Sequence, residues 1–209
     1  MQYRTLGSTG LEVSVIGVGT WQFGGEWGVD FRVRDVDAIL GAAADEGINL
    51  IDTAECYGDH LSEQLIGECT QRNRDRWVIA TKFGHHFHAD RDRSGSWSPL
   101  ELRTRHWSAA EMRSQLEASL GALRTDYIDL LQFHSPTNAE FVNEELWTEL
   151  ERVKQEGKVR FVGLSISDNT NLLQVERAPQ AHCEALQIIY NRLDRGPEGP
   201  VFDAVEDRK

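Results

Sequence analysis

Short apolar runs alternate with amphipathic stretches along the whole chain. The apolar runs are three to seven residues long, as short buried strands are, and the stretches between them repeat apolar residues at helical spacing. The predicted strands are 15–20, 49–51, 77–81, 127–133, 159–164 and 185–190. The predicted helices are about 33–46, 61–70, 109–123, 144–156 and 168–176. This alternation is typical of a parallel sheet covered by helices.

Capping residues support these boundaries. Gly47 and Gly157 follow two of the predicted helices, where a glycine usually ends a helix. Ser108 and Glu111 form a capping-box pattern, and Asp168 is a candidate cap for the last of these helices. Segments 3–6 and 11–14 flank a glycine-rich turn and predict an N-terminal hairpin. Segments 21–28 and 83–107 show no period and are predicted loops; one as long as 83–107 is usually functional or disordered.

Ionisable side chains stand at the far ends of consecutive predicted strands. Asp52, Lys82 and His134 each close an apolar run, and Tyr57 follows Asp52 in a loop bounded by glycine. The carboxyl ends of the strands are where a (βα)8 barrel builds its active site. Gly17-Val-Gly19 lacks the third glycine of a dinucleotide fingerprint, which makes a doubly wound fold the weaker alternative. We therefore predict an α/β protein of the TIM-barrel type.

The four side chains suggest one kind of chemistry. A tyrosine is a poor acid at neutral pH, and an ammonium group such as Lys82 within hydrogen-bond reach lowers its pKa. Asp52 would pair with Lys82, and His134 could orient and polarise a carbonyl oxygen. This set suits protonation of an oxygen that gains negative charge as a carbonyl accepts a hydride. No side chain supplies hydride, so a nicotinamide cofactor is implied.

Composition narrows the class of protein. The 209 residues are predicted to form a single domain, 1–209, with no apolar segment long enough to cross a bilayer. A net charge of -12 argues against nucleic acid as a partner. The N-terminus has no secretion pattern, and the three cysteines lack metal-ligand spacing, so a cytoplasmic location is expected.

The motifs in their order resemble the aldo-keto reductase family over essentially the whole chain. The segments that carry the resemblance are Gly19-Thr20-Trp21, Gly47 to Gly58 with Ser62-Glu63, Ala80-Thr81-Lys82, Asp129 to His134, and Gly157 to Arg160 leading to Gly163-Leu164-Ser165. The resemblance implies an NADP(H)-dependent enzyme, with NAD(H) as the alternative cofactor, acting on a small carbonyl or alcohol substrate. No membrane partner is expected, because no segment is long and apolar enough to cross a bilayer.

Roles for individual residues follow from the resemblance. Tyr57 would be the general acid, tuned by Asp52 and Lys82, and His134 would position the substrate carbonyl. Ser165 and Gln187 match positions that hold the nicotinamide carboxamide, while Gly19 and Thr20 pass beside the cofactor together with Asp52. Trp21 would line the substrate side with Tyr57 and His134.

The sequence departs from the family pattern at two points. Ile166 stands where many members have an asparagine that also binds the carboxamide. The chain also shows about six core strand–helix units, so the family's last two are expected to be missing and the barrel incomplete. An incomplete barrel predicts weak or absent cofactor binding by the chain alone and a homo-oligomeric or aggregating state.

Other interpretations of the same residues stay open. The chain could be a nucleotide-sensing subunit, or a fragment that is inactive without a partner. His85, His86 and His88 could bind a metal, but no carboxylate or cysteine pattern completes such a site, so no metal is predicted. Cys56 could be redox-sensitive, although a buried packing role is commoner. Trp21, Phe23 and Trp107 could wall a substrate pocket or simply pack in the core.

Overall fold

The computed structural model describes residues 1–25, 28–87, 103–105, 107–166, 171–178 and 181–206. Ten strands lie within these ranges: β1 (Tyr3–Thr5), β2 (Glu12–Ser14), β3 (Val18–Gly19), β4 (Leu50–Asp52), β5 (Val78–Phe83), β6 (His85–Phe87), β7 (Arg103–Arg105), β8 (Ile128–His134), β9 (Val159–Ser165) and β10 (Ala185–Gln187). The α-helices are α1 (Val33–Asp45), α2 (Leu61–Thr70), α3 (Ala109–Leu123), α4 (Asn138–Phe141), α5 (Glu144–Gln155), α6 (Leu172–Arg177) and α7 (Pro200–Glu206).

Six strands form one parallel sheet in the order β3-β4-β5-β8-β9-β10, which is also their order along the chain. Each strand therefore pairs with the next one after a helical connection, as in the successive units of a (βα)8 barrel. β1 and β2 form a separate antiparallel hairpin. The predicted incomplete barrel of six units with an N-terminal hairpin is confirmed.

The core lies between the sheet and its helices. Its largest fully buried apolar side chains come from both layers and include Ile51, Ile79, Phe133, Met112 and Leu116. The cap predicted at Ser108 is present: its hydroxyl accepts a 3.1 Å hydrogen bond from the amide of Glu111 at the start of α3. Burying one face of each helix on a sheet that is apolar on that face stabilises the unit.

Several boundaries differ from the sequence prediction. The first strand is shorter than predicted and covers only Val18–Gly19, and Val15 and Ile16 before it are 47% and 58% exposed. Trp21–Gly24 forms a short 3-10 helix instead of a loop. The last strand ends at Gln187, and the ends of the predicted loop 83–107 pair as the β6–β7 hairpin. An apolar run at a sheet edge predicts a strand but not its length. An edge strand has hydrogen bonds to only one neighbouring strand, so fewer bonds define where it ends.

Two strand edges of this sheet stay open within the described residues. β3 pairs only with β4, and β10 pairs only with β9. Apolar side chains stand exposed just outside both edge strands: Val15, Ile16, Ile189 and Tyr190. Unpaired strand edges beside apolar surface favour association with another chain.

We expect the 209-residue chain to self-associate for this reason. Light scattering over a range of protein concentrations should give a mass above that of a monomer, rising with concentration. Replacing Ile16 and Ile189 by lysine should shift the distribution toward monomer, because a charge on an edge opposes strand pairing. The matched control is the same replacement by lysine at Val142, an exposed apolar residue that lies away from both edge strands. A compact monomer at all concentrations would contradict this expectation.

Candidate active site

The parallel register brings the predicted residues to one rim of the sheet. Gly19 lies opposite Asp52 across β3 and β4, and His134 lies opposite Ser165 across β8 and β9. Ser165 in turn lies opposite Gln187 on β10. These positions are the carboxyl ends of neighbouring strands, so their side chains converge where a barrel of this kind has its active site.

Lys82 is a buried charged group at this rim. Its side chain is 2% exposed, and its ammonium donates to the carboxylate of Asp52 at 2.8 Å and to the backbone oxygen of Thr53 at 2.8 Å. Burial acts to lower the pKa of Lys82, but the charge of Asp52 together with the contacts to Asp52 and Tyr57 outweighs it and raises the pKa above its ordinary value. Lys82 is therefore charged at neutral pH, as the sequence analysis expects.

Tyr57 stands next to this ion pair. Its hydroxyl lies 3.4 Å from the ammonium nitrogen of Lys82. Burial raises the pKa of Tyr57 to about 12, and the opposing charge of Lys82 lowers it by less than burial raises it. The predicted lowering of this pKa is thus wrong in its net direction, because desolvation of the phenolate is the larger effect. The phenol keeps its proton at neutral pH, as a general acid must.

Two glycines fix the backbone around Tyr57. Gly58 adopts a φ of +66°, and a Cβ atom there would lie 2.3 Å from the backbone oxygen of Gly24. A Cβ atom on Gly24 would lie 2.6 Å from the backbone carbon of Tyr57. Only glycine allows this close approach. It holds the 3-10 helix of Trp21 against the loop, so that the Trp21 ring stacks on Tyr57 with centroids 6.2 Å apart.

The predicted cofactor positions surround Asp52. The hydroxyl of Thr20 donates to the backbone oxygen of Asp52 at 2.9 Å, and the amide of Gln187 donates to its carboxylate at 3.0 Å. Nothing lies within 4 Å of where a Cβ of Gly19 would stand, so the surface beside it is open. The rim therefore presents a carboxamide and open backbone next to the Tyr57 and Lys82 pair. Ile166 is buried.

His134 lies between the tyrosine and a second group of polar side chains. Its ring meets that of Tyr57 edge to face with centroids 6.2 Å apart, and that of His85 with centroids 4.7 Å apart. Its Nδ1 atom is 3.5 Å from the carboxylate of Glu55 and 3.5 Å from the sulfur of Cys56. Burial lowers the pKa of His134 in spite of Glu55. The imidazole is therefore neutral at neutral pH.

The other aromatic candidates divide between two roles. Phe23 and Trp107 are 4% and 9% exposed and belong to the hydrophobic core, whereas Trp21 is 45% exposed beside Tyr57. The core-packing interpretation therefore holds for Phe23 and Trp107, and the substrate-pocket prediction now concerns Trp21 alone. His88 and the cap predicted at Asp168 lie outside the described residues.

Sequence reasoning missed the polar contacts beneath the site. Glu63, fully buried, accepts from the hydroxyl of Thr81 at 2.6 Å and from that of Ser119 at 3.1 Å, and its carboxylate lies 2.5 Å from His60. Gln132 donates to the side-chain oxygen of Gln187 at 3.1 Å and so steadies its amide. The Ser62-Glu63 motif marked the region, but the partners come from distant segments and leave no local pattern.

The comparisons identify the family. The family model described as "Aldo/keto reductase family" matches residues 15–208. The aldo-keto reductase YhdN of Bacillus subtilis is 34% identical over 213 residues, which cover 100% of this chain and 60% of the relative. The chain belongs to the aldo/keto reductase family. It spans about 60% of the length of this curated relative.

Solved structures agree with the fold. A putative aldo-keto reductase from Pseudomonas aeruginosa superposes with a TM-score of 0.79 at 33% identity, covering 98% of this chain and 74% of that one. An aldo-keto reductase from Klebsiella pneumoniae, in complex with NADPH, gives a TM-score of 0.77 at 28% identity over 99% of this chain and 65% of that one. Within the described residues, none of the helices is long and apolar enough to cross a membrane.

Proposed function

We propose that this chain carries the proton-transfer site of a nicotinamide-dependent reductase of aldehydes, ketones or sugar-like carbonyls, which can also run as an alcohol dehydrogenase. The observation that carries the proposal is the contact of the Tyr57 hydroxyl, 3.4 Å from Lys82, whose ammonium is bound by Asp52 at 2.8 Å. A neutral phenol beside a fixed cation can deliver a proton to an oxygen that becomes negative.

The same rim suits a nicotinamide cofactor, which would supply hydride when bound. Ser165 and Gln187 lie opposite each other at neighbouring strand ends, and Gly19 leaves open backbone nearby. Gln187 and Ser165 would hold the carboxamide, with Gly19 and Thr20 beside the cofactor and Asp52 beneath it. The Klebsiella pneumoniae neighbour in complex with NADPH supports NADP(H) as the cofactor.

Each proposed catalytic residue has a separate task. Tyr57 would donate the proton, and its raised pKa keeps that proton in place at neutral pH. Lys82 would stabilise the phenolate that remains, and Asp52 holds the ammonium in position. His134, neutral and next to Tyr57, could donate a hydrogen bond that orients the substrate oxygen. Trp21 would cover the outer side of the substrate.

The test measures cofactor binding and turnover separately. NADPH and NADH are titrated by quenching of tryptophan fluorescence, and a panel of aldehydes, ketones and sugars is assayed by loss of nicotinamide absorbance. Both are done on the chain and on a chimera that adds the part of the Bacillus subtilis relative lying outside the matched region. We expect binding and turnover in the chimera and weaker binding in the chain alone.

The outcomes separate a reductase from a nucleotide-sensing subunit. Turnover of any carbonyl, lost on Tyr57→Phe, supports the reductase. Tight cofactor binding with no turnover of the panel would instead favour a nucleotide-sensing role. A folded chimera that binds neither cofactor would refute the proposal.

A further inference from the structure

A group of four metal-ligating side chains lies beside the proposed proton-transfer site. Glu55 and Cys56 come from the loop after β4, His85 opens β6, and His134 ends β8. One ligand atom from each lies within 4.8 Å of the other three. We propose that Glu55, Cys56, His85 and His134 form a binding site for a divalent ion of the zinc class.

Two of the distances between the ligand atoms match a tetrahedral site. Zinc bonds of about 2.0–2.3 Å to nitrogen, oxygen and sulfur place neighbouring ligand atoms roughly 3.3–3.8 Å apart. The Nδ1 atom of His134 lies 3.5 Å from the Oε2 atom of Glu55, and the Nδ1 atom of His85 lies 3.3 Å from the Oε1 atom of the same carboxylate. The sulfur of Cys56 lies 3.5 Å from the same His134 nitrogen. With Oε2 of Glu55 as the ligand atom, two edges of the tetrahedron therefore already have the required length.

Two of these ligand atoms are buried without a hydrogen-bond partner in the described part of the chain. They are the Oε2 atom of Glu55 and the Nδ1 atom of His85. The side chain of Glu55 is 2% exposed, and its other oxygen accepts a 3.0 Å hydrogen bond from the backbone amide of His85. A buried carboxylate oxygen left without a partner is costly. A bound cation would satisfy both atoms at once.

The ligand set indicates which ion fits. One thiol, two imidazoles and one carboxylate suit zinc, whereas magnesium and calcium prefer oxygen ligands alone. The charge of Lys82 lies nearby and opposes a second cation. That charge is offset by Asp52, whose carboxylate pairs with Lys82 at 2.8 Å. The carboxylate of Glu55 and a metal-bound thiolate would bring two negative charges to the ion itself. The side chains of His85 and His134 are 15% and 16% exposed, which leaves a path from solvent.

Cobalt reports such a site directly, because a bound thiolate gives a near-ultraviolet charge-transfer band and four-coordination gives strong visible bands. We expect the reduced, metal-free chain to bind one equivalent of Co²⁺ with both features, and Zn²⁺ to displace it. Mg²⁺ should not. Cys56→Ala should remove the thiolate band and weaken Zn²⁺ binding, measured by competition with a chromophoric chelator, by at least about 100-fold.

Matched variants make the test decisive. Cys69→Ala removes another thiol and should leave the band and the Zn²⁺ affinity unchanged. His85→Gln should keep the band but weaken Zn²⁺ binding, while His182→Asn should change neither. These two histidine variants test the proposal if Cys56→Ala fails to fold. Circular dichroism verifies folding of each variant. A folded chain without saturable Co²⁺ binding, or a thiolate band that persists in Cys56→Ala, would overturn the proposal.

One consequence rests on the proposed function. Because the ion takes His134, Zn²⁺ should inhibit carbonyl reduction reversibly, with activity restored by EDTA. In His85→Gln the inhibiting Zn²⁺ concentration should rise at least about tenfold, each variant being compared with its own metal-free rate. The spectroscopic measurements need no turnover, so failure of the reductase proposal leaves the metal site testable, and equal Zn²⁺ sensitivity of both forms would refute the inhibitory role alone.

Discussion

Replacing Tyr57 by phenylalanine should lower the kcat of carbonyl reduction by about 10²- to 10⁴-fold while leaving cofactor affinity nearly unchanged. This loss corresponds to about 3–5 kcal/mol of transition-state stabilisation. Only the transferable proton disappears, because phenylalanine keeps the ring that stacks on Trp21. The measurement is steady-state kinetics on the form that turns over, together with NADPH titration.

The pH profile supplies a second check on the same residue. The acid form of Tyr57 is the active form in reduction, and burial raises its pKa to about 12. The rate of reduction should therefore not fall between about pH 6 and 9 through loss of this proton. Tyr3→Phe is the matched control, because its hydroxyl donates to the backbone oxygen of Gly47 in another part of the fold. Near-normal turnover by Tyr57→Phe would remove Tyr57 from the mechanism.

Much of the architecture is predictable because the chain encodes it locally. Buried parallel strands are apolar runs in the sequence, and a capping residue such as Ser108 indicates where a helix such as α3 begins. The conjunction of Asp52 with Lys82 follows from topology alone, since parallel strands place their carboxyl ends at one rim. The structure indeed places these two groups 2.8 Å apart.

What could not be predicted depends on distance and burial. The group of Glu55 and Cys56 with His85 joins segments about thirty residues apart, and no spacing pattern announces it. From the sequence, His85 is grouped with the neighbouring histidines, whereas in the fold it contacts Glu55 of another loop. The net pKa shift of Tyr57 was missed for the same reason. A nearby cation is visible in sequence order, but the depth of burial that outweighs it is not.

Replacing Lys82 by methionine should abolish most turnover and also lower stability. Methionine keeps an apolar stem at this buried position but removes the charge that would stabilise the Tyr57 phenolate. It also leaves the carboxylate of Asp52 without its cation. Breaking a fully buried pair typically costs about 3–5 kcal/mol. The side chain of Asp52 is 28% exposed and still accepts from Gln187, so we expect a smaller loss of about 1–3 kcal/mol.

The pH dependence of this stability loss has a definite sign. Asp52 raises the folded-state pKa of Lys82 against burial, so the pair stabilises the fold fully below the ordinary lysine pKa of about 10.4. The contribution is lost only as pH rises through the raised folded-state value. The difference in unfolding free energy between the parent and Lys82→Met should therefore be constant from about pH 6 to 9.

Denaturant unfolding and turnover measured in that range test both effects of Lys82→Met. Lys154→Met is the matched control, because Lys154 pairs with Glu184 at 3.0 Å in a more accessible place. Lys154→Met should lower the free energy of unfolding by at most about 1 kcal/mol and leave turnover unchanged. A Lys82→Met variant that is as active as the parent would exclude Lys82 from proton transfer. Unchanged stability with lost turnover would show that hydration of Asp52 compensates for the missing ion pair.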